Sequence, residues 1–373
     1  MVLAALINKN LPFPLEQIRR IALIQPSRIG DIVFSLPTLT GLRQLYPTAQ
    51  ISWLVDERCK ELVEGHPDLD EIIVIPFKAI EKALKEKKWP WIWQTLRHLK
   101  KELRKRSFDL SVDLHGLAKS ALLVLMTGAR YRIGSANTNG MKEFSGFFSN
   151  EIPPGPKDFH TVERNLALVR HLGGQVDHPE FKFEFSPSHQ EEVMALLRQA
   201  GYEQEDPLIV IHPGAGWISR RWPVERFAEL INKLKKDLPV HLAVIGGAEG
   251  GSKEEQLFQE LFSLTQVQVI NLVHQLNLKH LMALLDQAAL FIGNEAGPMH
   301  LATALGKPVV AIIGPTIPER TGPFGPKTRI VKKEVVCSPC RQRNCKDLNC
   351  MKAIEVSDVL EAVQSTWKLY RNT

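Results

Sequence analysis

Asp31 stands in the segment PSRIGD, after the apolar run Ile21 to Gln25 and at the start of a helical pattern. Aspartate is a frequent helix starter, so the pattern favours an N-cap, although the same position aims a carboxylate at the edge of any sheet the run joins. Asp113 and His115, in VDLHGLAKS, follow another apolar run and read either as a turn or as further polar groups at that edge. Arg220 and Arg221 follow the glycine loop HPGAG. Two guanidinium groups beside such a turn could neutralise a diphosphate by bidentate contacts, or form a solvated helix start. In NEAGPMH, Gly297 and Pro298 separate an apolar run from the helix MHLATAL, which closes at Gly306. Pro298 fits the first helical position and Gly306 the C-terminal cap. Open N–H groups and the helix dipole make that end a diphosphate seat with His300 on its first turn; the alternative is an ordinary turn with a core histidine. The spacing Cys337-x2-Cys340-x4-Cys345-x4-Cys350 could give four thiolates to zinc, but departs from paired C-x2-C; reduced thiols or a labile disulfide are the alternatives.

Elements that position these residues are legible as alternating strands and helices, the rhythm of a parallel sheet covered by helices. Ile21 to Gln25, Ile51 to Val55, Glu71 to Ile75 and Phe108 to Leu114 read as strands, and Ile32 to Tyr46 as a helix stopped by Pro47. Gly173 to Ser188 breaks the pattern and reads as an interdomain linker. Beyond it, Leu208 to His212, Val240 to Ile245, Leu290 to Gly293 and Pro308 to Ile313 end in HPGAG, GGAEGG, NEAGP and GPT. Glycine loops at strand ends place ligand-binding turns along one sheet edge, so the second half is expected to handle a nucleotide.

A chain of 373 residues accommodates two cores, since domains run to about 100–200 residues. No apolar stretch approaches the ~20 residues of a membrane span, and the N-terminal run lacks the basic flank and cleavage site of a secretory signal, so a cytoplasmic location is expected. The net charge of +6 favours anionic partners. Eleven Lys and Arg against three Glu lie between Lys78 and Arg106, around Trp89, Trp91 and Trp93. This fits either a segment on an anionic membrane surface or a solvated helix with packed tryptophans; no nucleic-acid recognition module accompanies it.

SRIGDIVFSLPTLTGLRQLYP, DLHGLAKSALL, HTVERNLALV, HPGAGWISRRWPVERFAEL, FIGNEAGPMHLATALGKPVVAIIGPT and CSPC follow one another from Ser27 to beyond Cys337. In that order they resemble the family 9 glycosyltransferases of the bacterial heptosyltransferase type, and the cysteine cluster leans toward the type II group. The resemblance implies an α/β GT-B fold: two Rossmann-like domains facing a cleft, with residues 1–175 binding acceptor, 190–350 binding the nucleotide-sugar donor, and a C-terminal helix in 351–373 packing back on the N-terminal domain. It implies transfer of heptose from ADP-heptose to the lipopolysaccharide core, with inversion, no metal in the chemistry, and Asp31 as general base. Donor-side positions are Gly214, Ala215, Arg220, Arg221, Glu249, Leu276, Glu295, Ala296, Gly297, Pro298 and His300; acceptor-side positions are Arg28, Asp113, His115 and Lys119. Arg220 replaces a lysine common in the family, and the usual N-D-S-G-P-M-H carries Glu295 and Ala296 here. A lipid A-linked acceptor implies peripheral contact at the inner face of the inner membrane.

A dinucleotide-dependent dehydrogenase is set aside because PSRIGD has one glycine where G-x-G-x-x-G is needed. The remaining alternatives are a family member using another nucleotide sugar, an epimerase on the same fold, and a non-catalytic nucleotide-sugar binder.

Overall fold

Ile21, Ala22, Leu23 and Ile24 are all fully buried, so this strand is covered on both faces, as a parallel strand packed between helices must be. In the computed structural model, which describes residues 17–134, 149, 159–203, 206–247 and 252–371, this strand is the centre of the first of two sheets. The chain divides into two units, Met1–Glu184 and Phe185–Thr373.

The first unit holds β1 (Arg20–Ile24), β2 (Gln50–Asp56), β3 (Glu71–Ile75), β4 (Leu110–Asp113) and β5 (Tyr131–Gly134), in the order β3-β2-β1-β4-β5. Its helices are α1 (Ile29–Val33), α2 (Leu36–Leu45), α3 (Phe77–Lys85), α4 (Trp89–Lys105), α5 (Ala118–Thr127) and α6 (Thr161–His171). Every pairing in this sheet is parallel. The helix expected over Ile32 to Tyr46 is two helices, broken at Phe34 and Ser35. Pro37 is the cause: it has no N–H to give and its ring would strike the carbonyl four residues back, whereas the first turn of a new helix tolerates it.

The second unit begins with α7 (Pro187–Gln199) and holds β6 (Leu208–His212), β7 (His241–Val244), β8 (Ile270–Asn271), β9 (Leu290–Asn294), β10 (Val309–Ile312) and β11 (Thr328–Val331). Its further helices are α8 (Val224–Asp237), α9 (Ser252–Leu264), α10 (Leu278–Gln287), α11 (Gly297–Ala304), α12 (Pro318–Thr321), α13 (Asn349–Lys352) and α14 (Val356–Arg371). The order β11-β10-β9-β6-β7-β8 is that of a doubly wound dinucleotide-type sheet. The order in which successive strands are laid down reverses between β1 and β4 in the first unit and between β6 and β9 in the second. Ligands bind outside the carboxyl ends of strands at such switch points.

Val356, Val359, Val363 and Trp367 of α14 are buried in one core with Phe227 and Ile231 of α8 and Ile312 of β10. The apolar stripe of this C-terminal helix completes the second sheet's own core, and the helix falls within the second unit.

Candidate active site

In the first unit the loops leaving β1 and β4 lie side by side, because Ile24 and Asp113 are register partners. Asp31 is not the N-cap. Arg28 holds that position and Asp31 is the third helical residue, its carboxylate reaching back to accept the Arg28 N–H at 3.4 Å. It remains half-buried at the strand end. Behind it, the buried Gln25 donates its amide N–H to the Ser27 carbonyl at 2.8 Å and lies 3.2 Å from His115 Nδ1. With Nδ1 accepting, the His115 proton sits on Nε2, a buried atom with no hydrogen-bond partner among the described residues. Burial, and then the charges of Lys119 and Arg28, lower this imidazole to about 3, so it is neutral at pH 7.

Lys119 donates to Ser27 Oγ at 2.8 Å and sits 5.1 Å from the Phe77 ring centroid. Burial lowers its pKa, against the pull of Asp56 and Glu81. Arg28 and Lys119 therefore gather near Asp31 as a cationic, partly desolvated pair, with the neutral His115 beside them, suited to an anionic ligand. Asp113 does not present its carboxylate there. It is 3% exposed and accepts the His115 N–H at 3.0 Å, the Gly116 N–H at 3.1 Å and the Ser120 hydroxyl at 3.0 Å. It shapes the turn, with Gly116 at φ 64°, that carries His115. Burial pushes this carboxyl up to about 6, against those three hydrogen bonds.

Sequence reasoning missed Gln25, Ser27 and the pair at the end of β2. Asp56, fully buried, accepts the Arg58 N–H and its Nε–H, both at 2.9 Å. Asp56, which ends β2, and Arg58 just beyond it could have been found by extending to β2 the strand-end logic used for β1 and β4.

In the second unit His212 closes β6 and is held by Nδ1 against the Ile245 carbonyl at 3.1 Å; burial lowers it to about 4. A side chain on Gly214 would meet Glu254 Oε1 and His212 Cε1, each at 2.9 Å, so a larger residue would have to displace the buried His212 ring. Arg221 donates from Nε to the Ala215 carbonyl at 2.9 Å, bracing the loop. Asn294 ties β9 to the same loop: its Oδ1 accepts the Trp222 N–H at 3.1 Å and its Nδ2 donates to the Pro213 carbonyl at 2.7 Å.

Arg220 lies against β9's loop, donating to the Glu295 carbonyl at 3.4 Å, with Nη2 3.5 Å from Glu295 Oε1. Glu295 is 2% exposed. It also accepts the Thr316 hydroxyl, and the Thr321 hydroxyl at 3.1 Å. Burial raises its pKa, and Arg220 and the two threonines oppose that. Glu295 thus acts as an anchor that orients Arg220. Ala296 is the N-cap of α11, Gly297 the first helical residue and Pro298 the second, one place later than the sequence pattern suggests. Gly306, at φ 73°, ends the helix as expected, and His300 is buried on its first turn.

The geometry therefore joins Gly214, Ala215, Arg220, Arg221, Glu295 and α11's start at the β6/β9 switch point. Leu276, partly buried, lies on the loop after β8, just before the N-cap Asn277 of α10. Glu249 lies outside the described residues. The four clustered cysteines are free thiols, Cys350 buried on α13 and Cys337 exposed. Burial, then Cys337 and Cys340, push the Cys350 thiol up. Among the described residues no group of three or more His, Cys, Asp or Glu is arranged to hold a metal ion. No helix of the described residues is long and apolar enough to cross a membrane.

The family model for glycosyltransferase family 9 (heptosyltransferase) matches residues 96–351. Lipopolysaccharide heptosyltransferase 1 of Pseudomonas aeruginosa is 26% identical over 332 residues, 87% of each chain. The solved ADP-heptose heptosyltransferase II of Escherichia coli superposes with a TM-score of 0.73 at 23% identity, covering 94% of this chain and 99% of that one. An E. coli heptosyltransferase solved with ADP-2-deoxy-2-fluoro heptose superposes with a TM-score of 0.68 at 20% identity, covering 93% and 99%. With two parallel α/β domains of the GT-B type and a family match over more than half its length, this chain belongs to glycosyltransferase family 9 and is a glycosyltransferase.

Proposed function

We propose that the enzyme transfers heptose from ADP-heptose to the lipopolysaccharide inner core with inversion, Asp31 acting as general base and no metal taking part in the chemistry. The observation that carries this reading is Asp31 itself: a half-buried carboxylate at the β1/β4 switch point, near the cations Arg28 and Lys119 and the neutral His115. Its support in the comparisons is the name of the Pseudomonas aeruginosa relative and the ADP-sugar analogue bound by the E. coli enzyme. In the proposed step the acceptor hydroxyl gives its proton to the Asp31 carboxylate as its oxygen bonds to the anomeric carbon. The bond from that carbon to the diphosphate oxygen breaks, and its electron pair leaves with ADP. Arg220 and the N–H groups at the start of α11 offset the charge that develops on the diphosphate, the role a metal ion would otherwise fill. The first unit holds the acceptor and the second the donor.

The test is ADP release by purified enzyme given ADP-heptose, with and without a heptose-deficient core acceptor, in EDTA. Release that requires acceptor supports the reading. Donor turnover without acceptor would replace it with an epimerase or hydrolase, and bound donor with no turnover on any core acceptor would leave a binder or a different sugar specificity.

Peripheral contact with the inner face of the inner membrane is part of this proposal. Trp89, Trp91 and Trp93 are 60%, 41% and 66% exposed, at the start of a helix rich in Lys and Arg. Packed tryptophans, the competing expectation, would be covered. Amphipathic rings flanked by cations suit the headgroup layer of anionic lipid. Replacing all three by alanine is expected to cut co-sedimentation with phosphatidylglycerol vesicles at least tenfold, with little binding to phosphatidylcholine by either protein; unchanged sedimentation would remove the membrane contact from the proposal.

A further inference from the structure

The loop between β11 and α13 carries Cys337, Cys340 and Cys345, with Cys350 following on α13, and its backbone is fastened over the carboxyl ends of the second sheet. The Cys340 and Arg341 N–H groups donate to the Pro315 carbonyl at 3.1 and 2.9 Å, and the Ser338 hydroxyl donates to the Gly314 carbonyl at 2.7 Å. Farther along, the Arg343 carbonyl accepts the Ser219 N–H at 3.4 Å. The loop is thus docked on both the β10 and the β6 turns, next to Arg220.

Its side chains continue that contact. Arg343 Cζ lies 5.1 Å from the centroid of the Trp217 ring, and Arg220 Cζ lies 4.0 Å from the same centroid. Two guanidinium groups on one indole repel each other unless an anion offsets them. Arg220 has Glu295 at 3.5 Å; Arg343, exposed, has no carboxylate within ion-pair distance among the described residues. Two neutral donors in the same turn, Ser219 Oγ and Trp217 Nε1, are buried without a hydrogen-bond partner among the described residues. Buried polar atoms are rarely left so, and two such donors beside paired guanidinium groups suit a polar, anionic ligand or ordered water.

We infer that Arg343 is a second cation for the donor's diphosphate, brought to the β6 turn by the cysteine-bearing loop and held against Trp217 opposite the Glu295-anchored Arg220. This rests on the reading of the second unit as the donor side. The ligand chemistry is a pyrophosphate ester of a nucleoside: Glu295 leaves Arg220 only partly available, and Arg343 supplies the further positive charge that a doubly charged group calls for. It makes the loop part of the binding site, whatever the state of its thiols.

Calorimetric titration with ADP and with AMP tests it. Loss of one charge-assisted contact to the distal phosphate is expected to weaken ADP binding about tenfold in Arg343→Ala while leaving AMP within twofold. Arg343→Lys should recover part of the difference, because a point charge replaces a fork. Thermal unfolding should not move, since the side chain is exposed. Arg220→Ala serves as the reference. An ADP-over-AMP preference that falls in Arg220→Ala but not in Arg343→Ala would overturn the inference and leave the donor reading standing. A preference that moves in neither would overturn both. A proportional loss for ADP and AMP in Arg343→Ala would make the residue a brace for the loop and refute the diphosphate role.

Discussion

Asp31→Asn is expected to fold normally and to lose turnover by about 10²–10⁴, the usual contribution of a positioned general base. The amide matches the carboxylate in size, and its oxygen can still accept the Arg28 N–H that Asp31 accepts at 3.4 Å. The Ser35 hydroxyl, which donates to the Asp31 backbone carbonyl at 2.8 Å, is untouched. What the substitution removes is the capacity to take a proton. Acceptor-dependent ADP release should therefore collapse while the unfolding transition and ADP affinity stay in place. Near-normal turnover would refute the base assignment and leave Asp31 as a helix-end residue.

The second large effect is expected at Glu295, and it is one of stability. Its carboxylate accepts two threonine hydroxyls and sits 3.5 Å from Arg220 Nη2 with its own side chain 1% exposed. Glu295→Ala would strand both hydroxyls and leave a guanidinium without its counter-charge. Removing one member of a buried pair costs about 3–5 kcal/mol, and the lower figure applies because Arg220 keeps 19% of its side chain exposed. About 3 kcal/mol corresponds to roughly 6–12 °C in a domain of this size. Glu295→Gln, which keeps the volume and one acceptor oxygen, should recover a good part of it. An alanine variant melting within a degree or two of the parent would refute the anchoring role, which differential scanning calorimetry can decide.

Much of this arrangement was legible from the residues because parallel strands buried on both faces announce themselves as unbroken apolar runs, and their glycine-rich ends mark where ligands sit. β6 and the HPGAG loop illustrate the point. Short and peripheral strands escaped for the opposite reason. β8 is two residues long, and β11 has Arg329 and Ile330 exposed, so neither displays a buried run. Local chemistry corrected other readings. Pro37 split one helix into two, and Gly297 displaced Pro298 from the first helical place. Asp113 looked like a ligand group because nothing in a linear pattern shows that N–H groups two and three residues downstream will occupy it. Whether the tryptophans near Trp91 were packed or bare depended on tertiary neighbours, which a run of charges does not specify. The family resemblance pointed to Arg220, but its partnership with Glu295 joins residues 75 positions apart and emerges only from the β6/β9 pairing.

The placement of α14 also bears on how the protein is made. Its buried face, Val356 to Trp367, closes a core whose strands are all translated earlier. On the ribosome the first unit can mature while the second is still emerging, but the second sheet must wait, one face bare, until this helix clears the exit tunnel. Nascent chains stalled before residue 356 would display that apolar face to chaperones and proteases, so quality control should recognise shortened products through the second unit alone.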